Sequence, residues 1–330
     1  MTAPPPESRT LNNTPIDSAY HAPVLASEVL HLLGRARRVL DGTLGGGGHS
    51  LALLEAGVER VIGIDRDPDA LASAGRRLAV YAAQGRFAAY LGSFFSLDDA
   101  AELSNERFDG ILLDLGISSH QVDEPERGFT FREGAPLDMR MGGESSNAPT
   151  AAELLNSADE KELFRILREY GDEPRAGRLA REIVRRRSTR PFATSDDLVG
   201  AIRGVLGPRS GPGEFARIFQ GMRIAVNDEL GGLERALPVL RDRLLPGGIL
   251  AVIAYHSGED RLVKHAFREW SARCVCPPKQ MVCTCRGRAY GNLLTRRPIK
   301  PGEEELARNA RARSARLRAF QTDVSWRDDA

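Results

Sequence analysis

The 330-residue sequence has no long hydrophobic run, few aromatic residues and almost no net charge. Its most apolar stretch, Ile249 to Tyr255, is far shorter than the roughly 20 residues that a membrane-spanning helix needs. Hydrophobic residues make up 42% and charged residues 28%, which excludes a wholly disordered or collagen-like chain. The beginning of the chain is polar and lacks the apolar core of a signal peptide, so residues 1–20 are predicted to be a disordered tail. We expect a globular protein in the cytoplasm.

The net charge of +1 conceals two basic segments on an acidic remainder. Residues 264–320 contain 14 Lys and Arg against four acidic residues, and residues 175–190 contain seven Arg against Glu182. Basic clusters of this kind are typical of proteins that bind a phosphate backbone, although solvated helix faces have the same composition. Together they favour a nucleic-acid partner.

Strands and helices alternate through the first third of the chain. The predicted strands are Arg38–Leu40, Arg60–Asp65, Phe87–Leu91 and Phe108–Leu115. This pattern predicts an α/β fold, with a parallel sheet and helices on both faces. Between Val122 and Met222 the sequence predicts helices alone, among them Ser195–Leu206. A helix over Asn227–Leu245, a turn at residues 246–248 and a strand at Ile249–Tyr255 are predicted to follow. We therefore expect a helical domain, residues 123–222, inserted into one α/β domain formed by residues 21–122 and 223–330.

Two further segments near the C-terminus, Leu293–Ile299 and Ala315–Phe320, are predicted as antiparallel edge strands around a short helix. In the insertion, one predicted helix begins at Arg175. Its apolar residues share one face, and Arg178, Arg181, Arg185 and Arg186 share the other.

Four consecutive glycines, Gly45 to Gly48, lie between the first predicted strand and a helix. Glycine permits positive φ and close backbone approach, and a ligand can bind the free N–H groups of the next helix. Asp65 follows Gly45 by 20 residues and ends the second strand, where a carboxylate can accept hydrogen bonds from ribose hydroxyls. The loop lacks Gly-Lys-Ser/Thr, which disfavours a P-loop triphosphatase. A tight turn, a dinucleotide site and an S-adenosylmethionine site remain open on this loop alone.

All four cysteines lie within twelve positions, as two C-x-C pairs: Cys274, Cys276, Cys283 and Cys285. In a cytoplasmic protein this pattern suggests a structural tetrathiolate zinc site, although the usual spacing is C-x2–4-C. Free thiols and disulfides are the alternatives.

Several longer segments occur in a distinctive order. They are His21–Leu25 (HAPVL), Asp41–Ser50 (DGTLGGGGHS), Gly110–Ser119 (GILLDLGISS), Arg127–Phe131 (RGFTF), Pro136–Met141 (PLDMRM), Phe219–Asn227 (FQGMRIAVN), His256–Arg261 (HSGEDR) and Asn309–Arg318 (NARARSARLR). Together they resemble the RsmH (MraW) family over about residues 20 to 320. Gly258 and the stretch Gly211–Arg217 depart from the family pattern, and both departures concern loops expected on the RNA side.

The resemblance implies a class I, Rossmann-like S-adenosylmethionine-dependent methyltransferase. Its expected substrate is N4 of a cytidine in the decoding region of 16S rRNA, within the small ribosomal subunit, and neither a membrane nor DNA is expected as a partner. The family's cofactor contacts correspond here to Gly47, Gly48, His49, Asp65, Phe94, Asp114 and Gln121. Phe94 packs beside adenine or serves as a core aromatic. Asp114 faces the cofactor or caps a turn.

Cytosine N4 needs a hydrogen-bond acceptor to free its lone pair, and a proton must leave. Many amino-methyltransferases supply Asn/Asp-Pro-Pro-aromatic after the fourth strand, but this chain has Asp114-Leu-Gly-Ile117 there. Asp138 and His256 are therefore the candidate catalytic residues. The alternatives are an ion pair between Asp138 and Arg140 and a structural hydrogen bond for His256. The arginines Arg178, Arg181, Arg185 and Arg186 are predicted to hold the RNA backbone.

Two other functions explain part of the sequence. A Rossmann dehydrogenase accounts for the glycine loop and Asp65, but not for the helical insertion and the ordered motifs. A ribosome-binding factor without catalysis accounts for the basic clusters, but leaves the cofactor loop without a purpose.

Overall fold

The computed structural model describes residues 23–99 and 103–323, so the predicted tail over residues 1–20 lies outside the described part. Its strands are β1 (Arg38–Asp41), β2 (Arg60–Asp65), β3 (Phe87–Leu91), β4 (Phe108–Asp114), β5 (Leu244–Ala254), β6 (Gly291–Leu293) and β7 (Arg316–Thr322). They form one sheet in the order β3-β2-β1-β4-β5-β7-β6. Strands β1 to β5 are parallel, whereas β7 is antiparallel to both β5 and β6. The predicted α/β, Rossmann-like architecture with a mainly parallel sheet is confirmed.

The central strands are buried on both faces because their apolar side chains alternate between two hydrophobic layers. In β4, Ile111 and Leu113 belong to one layer, while Leu112 between them belongs to the other. Leu40 and Val39 of β1 divide in the same way. Successive side chains of a strand point to opposite faces, so a nearly continuous apolar run is what a doubly covered sheet requires.

Helices cover both faces of the sheet. One layer includes residues of α1 (Ala26–Leu33), α2 (Gly48–Glu55) and α3 (Pro68–Arg77). The other includes residues of α11 (Glu229–Asp242) and α12 (Ser257–Trp270). The remaining short helices around the sheet are α4 (Ala79–Ala83), α5 (Ser119–Asp123) and α13 (Glu303–Arg308). In the described part of the chain, no helix has both the length and the apolar character of a membrane span.

Between β4 and β5 the chain forms a separate block of helices. Its elements are α6 (Ala151–Ser157), α7 (Glu160–Arg165), a π-helical turn (Ile166–Tyr170), α8 (Ala176–Arg187), α9 (Ser195–Leu206) and α10 (Pro212–Val226). Their buried apolar side chains form a third cluster, distinct from the two layers of the sheet. The block therefore has a hydrophobic core of its own.

Three local predictions differ from the structure. Strand β5 begins at Leu244 and continues through the expected turn at residues 246–248, with an irregular register opposite Phe108 and Gly110. The strand expected at 293–299 is reduced to β6 and one bridge at Ile299, because Pro298 cannot donate to a ladder. The helix expected from Asn227 begins at Glu229 instead, since Asp228 has a φ of 48°.

Candidate active site

A cavity of about 490 Å³ lies at the carboxyl ends of the parallel strands. Open α/β sheets bind ligands at this edge because the loops that follow the strands diverge there. Six of the seven predicted cofactor contacts line the cavity: Gly48, His49, Asp65, Phe94, Asp114 and Gln121. The seventh, Gly47, is the residue that immediately precedes α2. The sequence motifs thus converge on one site.

The glycine loop is held in a path that other residues would resist. Gly45 and Gly47 have φ values of 51° and 76°, in the left-handed region that glycine adopts at little cost. A Cβ atom on Gly47 would lie 3.0 Å from Leu78 Cδ1 and 3.2 Å from Ala74 Cβ. Close packing against α3 and the residue that follows it therefore fixes one side of the loop, and other residues of the loop line the cavity.

Asp65 ends β2 and braces the glycine loop. Its Oδ2 accepts a 2.7 Å hydrogen bond from the Gly45 N–H, and its Oδ1 accepts a 2.9 Å bond from the Asp67 N–H. Burial raises the pKa of Asp65 to about 6. Each carboxylate oxygen can accept more than one hydrogen bond, so Asp65 can still accept from a diol in the cavity.

Asp114 ends β4 and meets side chains from three other segments. Its backbone N–H donates to Thr43 Oγ1 at 2.6 Å, and its Oδ1 accepts a 2.8 Å hydrogen bond from the Tyr255 hydroxyl. Its Oδ2 lies 3.5 Å from Nε2 of His49. Burial, followed by the proximity of Asp114, raises the pKa of Tyr255 well above its usual value, so the phenol remains a donor at neutral pH.

His49 is buried in the cavity wall, yet neither ring nitrogen has a hydrogen-bond partner within the described structure. Its contact with Asp114 is close enough for an ion pair but falls outside hydrogen-bond geometry. Buried polar side chains nearly always have a partner, so an unpaired imidazole on a cavity wall indicates a site for a polar ligand.

Phe94 and Gln121 line the cavity and also support the fold. Phe94 belongs to a hydrophobic layer of the sheet and packs edge-on against Phe95, with ring centroids 4.5 Å apart. Gln121 Nε2 donates to Asp67 Oδ2 at 2.9 Å and to the Met141 carbonyl at 3.2 Å. Phe94 is therefore a core aromatic residue and also a lining residue of the cavity, so the two alternatives for it are compatible.

The two predicted proton acceptors do not line the cavity. Asp138 forms an ion pair with Arg140 at 2.7 Å, and although burial opposes it, Arg140 lowers the pKa of Asp138. His256 Nδ1 accepts hydrogen bonds from the N–H groups of Gly258 and Glu259 at the start of α12, and its Nε2 lies 3.2 Å from Glu259 Oε1. Both side chains thus have structural partners, and their catalytic roles stay predictions.

Further charged and polar residues that sequence reasoning missed also line the cavity, among them Tyr255, Arg223, Glu229 and Glu259. Arg223 and Glu229 form a bidentate ion pair, in which Nε and Nη2 of Arg223 each lie 2.9 Å from a carboxylate oxygen of Glu229. Glu259 is buried, which by itself would raise its pKa, but His256 and Arg223 hold that pKa below its usual value. Tyr255 could have been found, since it follows a parallel strand adjacent to the one that ends at Asp114.

The predicted basic face lies on α8 with part of its charge neutralised. Arg178, Arg181 and Arg185 are exposed, whereas Arg186 is half-buried. Glu182 pairs with Arg185 at 2.7 Å and with Arg186 at 2.6 Å. Arg181 has a looser contact, 3.9 Å from a carboxylate oxygen of Glu160. The exposed positive charge is therefore concentrated at Arg178 and Arg181.

Comparison with known proteins identifies the family. The model of the MraW methylase family matches residues 18–323. The chain belongs to the MraW methylase family. Membership of a methylase family favours the methyltransferase interpretation over a dehydrogenase or a non-catalytic binding factor.

Two relatives of this family member carry the name ribosomal RNA small subunit methyltransferase H. The protein from Gemmatimonas aurantiaca is 63% identical over 316 residues, which is 94% of this chain and 99% of the relative. The protein from Heliobacterium modesticaldum is 50% identical over 311 residues, 92% of this chain and 98% of the relative. A solved rRNA methylase from Streptococcus thermophilus is 11% identical with a TM-score of 0.40, and the match covers 90% of this chain and 93% of that one. The strand order above is the firmer basis for the fold.

Proposed function

We propose that the protein methylates the exocyclic N4 of a specific cytidine in the decoding region of 16S rRNA, with S-adenosylmethionine as the methyl donor. Membership of the MraW methylase family and the names of the two relatives support methylation of small-subunit rRNA. The observation that carries the cofactor assignment is the unpaired, buried His49 beside Asp114, in a cavity at the carboxyl ends of the strands.

The residues present fit an adenosine-containing cofactor. S-adenosylmethionine supplies a methyl group activated by a positively charged sulfur. Asp65 would accept hydrogen bonds from the ribose hydroxyls, and Phe94 would pack beside the adenine. Gly47 and Gly48 permit close approach of the ligand to the backbone, and Gln121 secures the neighbouring loop. Asp114 would present a carboxylate whose orientation is fixed by Tyr255, while Thr43 holds the backbone N–H of the same residue.

The acceptor base must leave its stack to reach such a cavity. The lining residues Arg223, Glu229 and Glu259 would supply hydrogen-bonding groups for a splayed cytosine. Asp138 and His256 remain our proposed proton acceptors. For His256, a change of rotamer that breaks its contact with Glu259 would be required, because its present partners belong to the start of α12.

The helical block is the proposed RNA-binding domain, comprising residues 123–222, and residues 21–122 with 223–330 are the proposed cofactor-binding domain. Arg178, Arg181, Arg185 and Arg186 would contact phosphates, with Arg178 and Arg181 carrying the larger share. The substrate would be the small ribosomal subunit in the cytoplasm, without a membrane or DNA partner.

Methyl transfer from labelled S-adenosylmethionine to small subunits lacking their own modification tests this function. The expected product, after digestion to nucleosides, is N4-methylcytidine at one site. Asp65→Ala should abolish transfer and cofactor binding together while the fold is retained. Cofactor binding without transfer to any rRNA would contradict the proposed substrate. Failure to bind S-adenosylmethionine would contradict the proposed reaction.

A further inference from the structure

The connection from α12 to β6 is a long loop whose last residue, Tyr290, packs partly buried against the core, while the rest of the loop has no such contact. Residues 271–290 contain no helix or strand, and none of their side chains is buried. Met281 is 100% exposed and Val282 is 72% exposed. Loops longer than about 12–15 residues without secondary structure are uncommon in compact domains, so this one needs another source of order.

The four cysteine sulfurs of this loop converge at its centre. Cys283 Sγ lies 3.8 Å from Cys274 Sγ, 3.9 Å from Cys276 Sγ and 3.5 Å from Cys285 Sγ. Cys274 and Cys285 are 3.8 Å apart, and all four sulfurs lie within 4.8 Å of one another. Four thiols within 4.8 Å of one another form a single set of possible ligands rather than two separate pairs.

These distances distinguish the alternatives that the sequence left open. A disulfide requires a sulfur separation of about 2.05 Å, far shorter than any distance in the cluster. A tetrahedral zinc ion with Zn–S bonds of about 2.3 Å places its sulfurs about 3.8 Å apart, which matches the cluster. Free thiols have no comparable reason to gather at one point on an exposed surface.

Groups around the cluster suit thiolates and hold the loop in place. The Val275 N–H donates to Cys285 Sγ at 3.4 Å, an outer contact that stabilises a thiolate bound to a metal. At the base of the loop, Arg286 donates to the carbonyls of Glu269 and Ala272. Its guanidinium also lies 4.3 Å from the centre of the Tyr290 ring. These contacts fix the loop where it joins α12. The cysteines lie in the exposed part of the loop, which these contacts do not hold.

We propose that Cys274, Cys276, Cys283 and Cys285 bind one zinc ion in a structural tetrathiolate site that orders loop 271–290. The four residues do not line the active-site cavity, so the metal would take no part in methyl transfer. Its role would be to hold an exposed, basic loop in one conformation beside β6.

Elemental analysis of the full-length protein, purified under reducing conditions without chelator, tests the site. We expect about one zinc ion per chain, loss of that zinc in Cys276→Ser/Cys285→Ser, and retention in Asp65→Ala as a matched control. Cobalt added to the metal-free protein should give the visible absorption of a tetrahedral thiolate complex. Failure of the wild-type protein to hold zinc or cobalt after incubation with either ion would overturn the proposal.

Thiol chemistry and proteolysis give independent readouts on the folded protein. The four cysteines should react with iodoacetamide only after a strong chelator is added, and chelation should accelerate tryptic cleavage after Lys279. Thiols that react fully before chelation, or a mass that shows loss of two hydrogens per cysteine pair, would contradict a zinc site. Cleavage sites outside loop 271–290 serve as the internal control.

Discussion

The hydroxyl of Tyr255 donates a 2.8 Å hydrogen bond to Oδ1 of Asp114, joining the residue that follows β5 to the residue that ends β4. The bond crosses the wall of the cavity, and Asp114 is also held by Thr43 through its backbone N–H. Because burial keeps the phenol protonated, this donor persists throughout the neutral pH range. Tyr255 therefore positions the Asp114 carboxylate.

Replacing Tyr255 with Phe should lower the kcat/KM of methyl transfer roughly tenfold to a hundredfold, since a hydrogen bond to a charged group contributes about 1.5–3 kcal/mol. The ring and its packing are retained, so unfolding should change little. Steady-state kinetics with saturating rRNA substrate is the measurement. Tyr81→Phe is the matched control, because the Tyr81 ring, in α4, packs against Arg86 and lies outside the cavity lining. Equal rates for both variants would contradict a positioning role.

The pH dependence of cofactor binding should follow the ionisation of the Asp65 carboxyl group. Its pKa of about 6 means that most of the protein carries a neutral Asp65 at pH 5. If ribose hydroxyls need the carboxylate, affinity for S-adenosylmethionine should fall about tenfold between pH 7 and pH 5, in proportion to the ionised fraction. Calorimetric titration across this range is the test. Asp65→Asn should bind weakly without this pH step, and a flat wild-type profile would contradict the assignment.

The same raised pKa has a consequence for stability. The folded state holds the Asp65 proton more tightly than the unfolded chain, whose ordinary pKa is 3.8. The contribution of Asp65 to stability is therefore greatest below that value and is lost as pH rises through about 6. The measurement is the free energy of unfolding of the cofactor-free protein at pH 5 and at pH 7. Asp65→Asn should abolish part of the difference between these two values.

His256 offers a test that separates capping from proton transfer. Asparagine is a strong N-cap residue, so His256→Asn should keep the start of α12 intact, whereas His256→Ala should lose about 1 kcal/mol of unfolding free energy. If His256 accepts the proton, the Asn variant should transfer methyl groups about a hundredfold more slowly despite its stability. Full activity in His256→Asn would leave capping as the sole role of this residue.

Two glycines of α10 should respond oppositely to alanine. A Cβ on Gly221 would lie 2.8 Å from the Gly171 backbone nitrogen and 2.9 Å from its Cα, and backbone atoms cannot easily move. Gly221→Ala should therefore cost about 1–3 kcal/mol of unfolding free energy by urea denaturation. Gly213 in the same helix has no such neighbour within 4 Å, and Gly213→Ala should be neutral or slightly stabilising. Similar losses in both would contradict the close helix contact.

Residues whose roles depend on strand ends can be predicted from the sequence. Asp65 and Asp114 terminate apolar runs, and parallel strands bring such ends to one edge of the sheet. Helix α9 has the bounds that its strong apolar periodicity predicts, Ser195 to Leu206. These features can be predicted because they depend on apolar patterns within short segments of the chain.

Other features depend on contacts between distant segments. The sequence does not predict helix α10, since Gly211-Pro-Gly213 resembles a loop and Gly221 weakens the helical pattern. The ion pair of Arg223 and Glu229 spans the junction between α10 and α11, whose bend depends on Asp228. The unpaired state of His49 is a property of its burial and neighbours, and no sequence spacing encodes it. Close approach and desolvation become apparent only when the chain is folded.

The exposed positive charge of α8 should contribute to RNA binding. Charge reversal at two exposed positions, Arg178→Glu/Arg181→Glu, should weaken binding to small ribosomal subunits. It should also reduce the slope of log affinity against log salt by roughly one for each phosphate that the variant no longer neutralises. Affinity for S-adenosylmethionine should be unchanged. Arg37→Glu is the matched control because Arg37 precedes β1, at the edge of the sheet opposite the cavity. Filter binding across a salt series is the measurement, and an unaltered slope in the double variant would place the RNA-binding surface elsewhere.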